Sequence, residues 1–129
     1  MIVDTSALVA ILAAEPEQFR YLSLLRETPD VKISAVSFFE FGMVVDRWNK
    51  PVPSAGVEKL IQLIEATIVP VTADTARLAR DSYRRFGKGN HPAKLNFGDC
   101  FPYALSRALG EPLLFKGEDF AMTDVLRAL

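Results

Sequence analysis

Four short apolar runs, Met1 to Val3, Val31 to Ser34, Thr67 to Val71 and Glu111 to Phe115, are separated by longer stretches with helical character, and this alternation constrains the chain most. Strands spaced by helices build right-handed βαβ units around a parallel sheet rather than hairpins. The first helix follows Asp4 at once, in Thr5-Ser6-Ala7-Leu8-Val9-Ala10-Ile11-Leu12. A second opens at Glu15-Pro16-Glu17, with a proline suited to an early helical position and acids at the positive end of the dipole, and runs to about Glu27 before Thr28-Pro29-Asp30 breaks it. A third spans about Ala35 to Asn49. Pro51 to Ser54 reads as a linker with Ser54 as cap, and Val57 to Ala66 as a helix with Leu60, Ile61, Leu63 and Ile64 near period 3.6. A helix from Thr72-Ala73-Asp74 to about Phe86 places Ala76, Ala79, Tyr83 and Phe86 inward. Gly87 to Asn96 is the longest irregular stretch, and a last helix resumes near Gly98 and ends at Gly110. The expected fold is a single α/β domain over residues 1–129: a three-layer α/β/α sandwich with a central parallel sheet of four or five strands.

Composition narrows the functional classes. At 129 residues the chain is long enough to bury a core without staples, and 50% hydrophobic with 24% charged residues is a globular profile. Its lone Cys100 cannot form an internal disulfide, which suits a reducing cytoplasm. The apolar stretch from Ile2 to Ala14 has no basic flank and carries Asp4, so it is not read as a signal peptide, and no run is long enough to span a membrane. A net charge of -1 leaves nucleic acid to be argued from a local basic patch.

Asp4 ends the first strand, at the sheet edge where ligands of open α/β folds bind, although any Asp at such a turn can also cap the helix. Asp119 follows the last strand in the turn Lys116-Gly117-Glu118-Asp119-Phe120. Glu40 shares a helical face with Val36, Met43 and Val44, a face expected to point inward, where a carboxylate must be paired or metal-bound. Asp99 lies in the first turn of the last helix, where the dipole alone would account for it. Converging at one sheet edge, these acids would have to take up protons or bind a cation, and oxygen-only ligation selects a hard ion such as Mg²⁺ or Mn²⁺. Thr5 or Ser6 could add a hydroxyl, though both also start helices readily. Carboxylate-held hard metals suit phosphodiester chemistry. The basic supply is local: Arg77, Arg80 and Arg84 share a helical face that Arg85, Lys88 and Lys94 extend, as contacts for a polyanion or as a solvated face.

Taken together, Ile2-Val3-Asp4-Thr5-Ser6-Ala7, the inward Glu40, Leu95-Asn96-Phe97-Gly98-Asp99-Cys100 and Phe115-Lys116-Gly117-Glu118-Asp119-Phe120 resemble PIN-domain ribonucleases of the VapC toxin type over nearly the whole chain. The resemblance implies a PIN-like fold, ligation of one or two Mg²⁺ or Mn²⁺ ions by Asp4, Glu40, Asp99 and Asp119, and Thr5, Ser6 and Asn96 as supporting polar groups. It also implies endonucleolytic cleavage of RNA, with Lys116 joining the basic residues as an RNA contact, a homodimer, and a small cognate antitoxin. Pro102 departs from the small residue usual there and would kink a helix begun before Gly98, at little cost to one begun at Gly98. Two other readings use the same architecture. A phosphoacceptor signalling domain also places a lysine after its last strand, here Lys116, but needs paired acids after the first strand, where Asp4 stands alone. A catalytically inactive binding module would not require the acidic set. No phosphate-binding P-loop and no nucleophile elbow occurs, and His91 reads as a loop residue.

Overall fold

The computed structural model describes residues 1–129. Its strands are β1 (Ile2–Val3), β2 (Lys32–Ser34), β3 (Thr67–Val69) and β4 (Leu113–Leu114), all parallel in the order β3-β2-β1-β4. Ile2 pairs with Lys32 on one side and Leu113 on the other, so β1 is central. The expected sheet of four or five strands therefore has four. The helices are α1 (Thr5–Leu12), α2 (Gln18–Glu27), α3 (Ala35–Asp46), α4 (Pro51–Leu63), α5 (Ala73–Phe86) and α6 (Cys100–Leu109).

Strand alternation divides the core into the two faces of a three-layer sandwich. Val3, Ile33 and Leu114 pack against α1 to α4, with Leu8, Leu25, Phe41 and Val45 fully buried. Ile2 and Leu113 point the opposite way, into Ala79, Phe86, Leu95, Tyr103 and Phe120 beneath α5 and α6. The chain adds β2 and β3 to one side of β1 and then returns to add β4 on the other. That reversal opens a crevice at the carboxyl ends of β1 and β4, the place where doubly wound sheets bind ligands.

Several local expectations are corrected. Residues 51–54 are the first turn of α4 and not a linker, because Pro51 and Pro53 sit where helical N–H groups have no acceptor. Ser54 is accordingly no cap; its hydroxyl donates to Asp46. On α5 the buried stripe is Ala79, Ser82 and Phe86, while Ala76 and Tyr83 are exposed. That helix packs chiefly on α6, so one neighbour covers only a narrow stripe. Strand β3 stops at Val69 and β4 at Leu114. Helix α6 begins at Cys100, which puts Pro102 in its first turn, and ends on Gly110 at φ 65°. Pro102 therefore removes no internal hydrogen bond and kinks nothing.

Candidate active site

Asp4 caps α1 and is 5% exposed. Its backbone N–H donates to the Leu114 carbonyl at 2.9 Å, pinning the residue between the ends of β1 and β4. Ser6 donates to its Oδ2 twice, from the backbone at 2.9 Å and from Oγ at 2.5 Å. The same hydroxyl accepts from the backbone N–H of Lys116 at 3.0 Å, so Ser6 fastens the acid to the turn after β4. Burial pushes the Asp4 carboxyl up to about 6 against the pull of those hydrogen bonds, and the charge of Glu40 adds to the rise. Thr5 is employed elsewhere: its hydroxyl donates to the Ser37 carbonyl at 3.1 Å and ties α1 to α3.

Asp99 sits at the N-terminus of α6 but donates nothing to helix capping. Its Oδ2 accepts from the Asn96 backbone at 3.0 Å while its own N–H donates to Asn96 Oδ1 at 2.9 Å, a reciprocal clamp that aims the carboxylate. Burial raises its pKa to about 7, followed by repulsion from Asp4, Asp119 and Glu40. Asp99 thus feels the charge of the other three acids, and Asp4 that of Glu40.

Glu40 reaches the site by a different route from the one its sequence context suggested. The buried face of α3 is Ser37, Phe41 and Val45; Glu40 is half-buried and Met43 is 44% exposed. The apolar stripe of Val36, Met43 and Val44 is a border and not core. What seats the Glu40 carboxylate is Gly98: a Cβ on Gly98 would lie 2.2 Å from Glu40 Oε2 and 3.0 Å from Cδ. A side chain at position 98 would displace the carboxylate from this seat. Gly98→Ala should therefore evict a flexible side-chain end at a stability cost of about 1 kcal/mol or less, yet lose cleavage to the same extent as Glu40→Gln. Parallel melting curves and initial rates for the two variants check this.

Asp119 is exposed and lies five residues beyond the last residue of β4, Leu114, after a left-handed Gly117 at φ 97°. It is thus carried by a turn and is not a strand-end acid in the sense Asp4 is. No three of the carboxylates close to metal-ligand spacing. Burial first, and then repulsion between the acids, favours the protonated forms of Asp4 and Asp99. The donor set nevertheless fits a hard divalent ion: every available ligand is oxygen, and two of the carboxylates are pre-aimed by hydrogen bonds.

Comparison with known proteins fixes the family. Residues 1–126 match the family model of the PIN domain. The chain belongs to the PIN-domain family. It is 48% identical over 130 residues to Ribonuclease VapC28 of Mycobacterium tuberculosis, covering 100% of this chain and 98% of that protein. Identity to Ribonuclease VapC of Mycolicibacterium smegmatis is 46% over 128 residues, covering 97% of each. Two solved structures share the fold: Mycobacterium tuberculosis VapC20, described as a sarcin-ricin loop cleaving toxin, with a TM-score of 0.79 at 20% identity and 98% and 97% coverage of this chain and that one; and VapBC2 from Rickettsia felis bound to a promoter DNA fragment, with a TM-score of 0.70 at 14% identity and 98% and 94% coverage.

The basic residues of this PIN domain fall into distinct groups. Arg77 pairs with Asp74 at 3.0 Å, and Arg85 with Asp124 at 3.1 Å. Lys116 lies apart from them, its ammonium bonded to Glu15 and, at 2.9 Å, to Glu17, which pushes its pKa up to about 12. Arg80, Arg84, Lys88 and Lys94 are exposed and make no ion pair. The tether of Lys116 to Glu15 and Glu17 was not legible in the sequence, because Lys116 lies 101 and 99 positions beyond them. His91 edges onto Phe86 with 5.0 Å between ring centroids, and its Nδ1 accepts from Ala93, a structural loop role. No helix is long and apolar enough to cross a membrane.

Proposed function

We propose that this PIN domain is an endoribonuclease of the VapC type that hydrolyses RNA phosphodiester bonds, with Asp4 and Asp99 holding a divalent ion and Glu40 and Asp119 completing its surroundings. The observation that carries the reading is the full-length relationship to VapC28, a ribonuclease, in a chain whose sheet edge bears these acids. In Asp4 and Asp99 alike the hydrogen bonds from Ser6 and Asn96 fall on Oδ2, so the other carboxylate oxygen would be the one available to a cation. When bound, Mg²⁺ or Mn²⁺, as one ion or two, supplies positive charge to phosphate oxygens and lowers the pKa of a water. Ser6 and Asn96 restrain the Asp4 and Asp99 carboxylates by hydrogen bonds. Arg80, Arg84, Lys88 and Lys94 bring the polyanion to the crevice by charge.

The phosphoacceptor reading is not favoured. Pro70, Val71 and Thr72 follow β3 where an acceptor acid would be needed, and Lys116 is bonded to glutamates. Nor is an inactive binding module, since nothing else requires Asp4 and Asp99 to be buried together. A small antitoxin as partner, a homodimer and a cytoplasmic site of action complete the proposal, consistent with the VapBC2 complex as a structural neighbour.

The direct test is incubation of purified, antitoxin-free protein with structured and single-stranded RNAs, with Mg²⁺, with Mn²⁺ and with EDTA. Metal-dependent cuts at defined positions are expected; intact RNA in every condition would refute the enzyme. In the same assay Arg80→Ala should weaken RNA binding and lower the slope of log affinity against log salt by about one phosphate contact's worth. An unchanged slope would make this a merely solvated face.

A further inference from the structure

A second concavity adjoins the acids, and its apolar walls play no part in the mechanism above. It is a cavity of about 580 Å³ between α5, α6 and the segment leading to Asp99, walled by Ala79, Tyr83, Phe97, Cys100 and Phe101 with Arg80 and Lys88 at its mouth. We propose that this groove receives one unstacked nucleobase of the RNA next to the bond being cut; the inference rests on the ribonuclease reading and adds a base-binding subsite to it.

The walls are built to stay open. Phe97 is 75% exposed, and its ring lies 5.2 Å from that of Phe101 at 58°. Tyr83 also lines the groove, packed so close to Gly87 that a Cβ there would come within 2.6 Å of the ring, and its hydroxyl donates to the Lys88 carbonyl at 3.2 Å. Aromatic side chains thus line the groove and offer faces on which a planar base can stack.

Position and charge decide between occupants. Asn96 lines the groove and also clamps Asp99, so a base seated there lies against the residue that holds the acid assigned to the metal. The side-chain Nδ2 of Asn96 donates to no protein group, which leaves a donor for a base edge. Arg80 and Lys88 carry no ion pair and frame an apolar floor, the pattern a base flanked by phosphates would fit.

Binding of a short fluorescein-labelled oligouridylate to the full chain in EDTA, compared with the same ribose–phosphate chain lacking its bases, separates stacking from charge. Stacking on an aromatic wall should favour the base-bearing strand by about fivefold to a hundredfold. Phe97→Ala, at a position exposed enough to leave folding intact, should erase most of that preference, whereas Arg80→Ala should weaken both strands alike. Equal binding of the two strands by the parent, or an unaltered preference in Phe97→Ala, would overturn the proposal. So would a Phe97→Ala protein that sediments as a monomer from a dimeric parent with its preference intact, which would give the groove to a second copy. Cleavage is scored separately with Mn²⁺: no cleavage with the base preference present would sink the ribonuclease reading and leave the subsite standing.

Discussion

Asp4→Asn is expected to lower single-turnover cleavage by at least about a hundredfold, the effect of losing several kcal/mol of charge stabilisation in the transition state, while the protein melts no lower than the parent. The two halves of that result come from different roles of one side chain. As a cap, Asp4 accepts from the Ser6 backbone, and Asn caps helices about as well as Asp. As a ligand, it contributes a negative charge that Asn lacks. Because burial already pushes the carboxyl up to about 6, the charge is a burden to the metal-free fold at neutral pH, and removing it should not destabilise. Asp4→Ala separates the roles further: it should lose cleavage equally but also lose about 1 kcal/mol of stability with the cap. Added Mg²⁺ or Mn²⁺ should raise the melting temperature of the parent and not of Asp4→Asn. Full metal-dependent activity in Asp4→Asn would remove Asp4 from the ligand set.

What the sequence made legible was whatever local pattern determines. The alternation of short apolar runs with helical stretches forced a parallel sheet, and Asp4 could be placed at its edge because β1 and α1 meet with nothing between them. Asp99 was legible as a helix-start residue. Glu40 does stand beside Gly98 and Asp99, but not for the reason its pattern gave: periodicity marked its face as apolar, but which apolar face becomes core is set by the neighbours α3 meets, and those are long-range. Its true support, the missing side chain of Gly98, lies 58 residues away (98 − 40 = 58) and leaves no mark on the pattern around either residue. Proline misled at residues 51–54 because a break signal and a helix-start signal are the same residue seen from opposite sides. The basic residues were legible as a group but not in their pairing, since Asp74 neighbours Arg77 in sequence whereas Asp124 reaches Arg85 only through the fold.

Metal-free protein should be more stable near pH 5 than near pH 8, and Asp99→Asn should abolish much of that difference. Asp99 is raised to about 7 and Asp4 to about 6, each from an ordinary value of 3.8, so the folded chain binds their protons more tightly than the unfolded chain does. Such groups give stability that is complete below the unfolded value and is lost as pH climbs through the folded one. Their window is therefore about pH 4 to 7. Acids with lowered values, Glu17, Asp30, Glu111 and Asp124, work in the opposite direction but only below their ordinary range, so a comparison between pH 5 and 8 isolates the site. After allowance for solvent reaching the crevice, roughly 2 kcal/mol is expected between these limits, or a melting shift of about 5–10 °C in a domain this size. Asp99→Asn should raise the melting temperature at pH 8 and flatten the profile. A divalent ion should do the same for the parent, with an affinity that falls as acid returns the protons it must displace. A parent profile that is flat in EDTA between pH 5 and 8 would mean that these carboxylates do not share a buried site, and the assignment of the metal to them would fall with it.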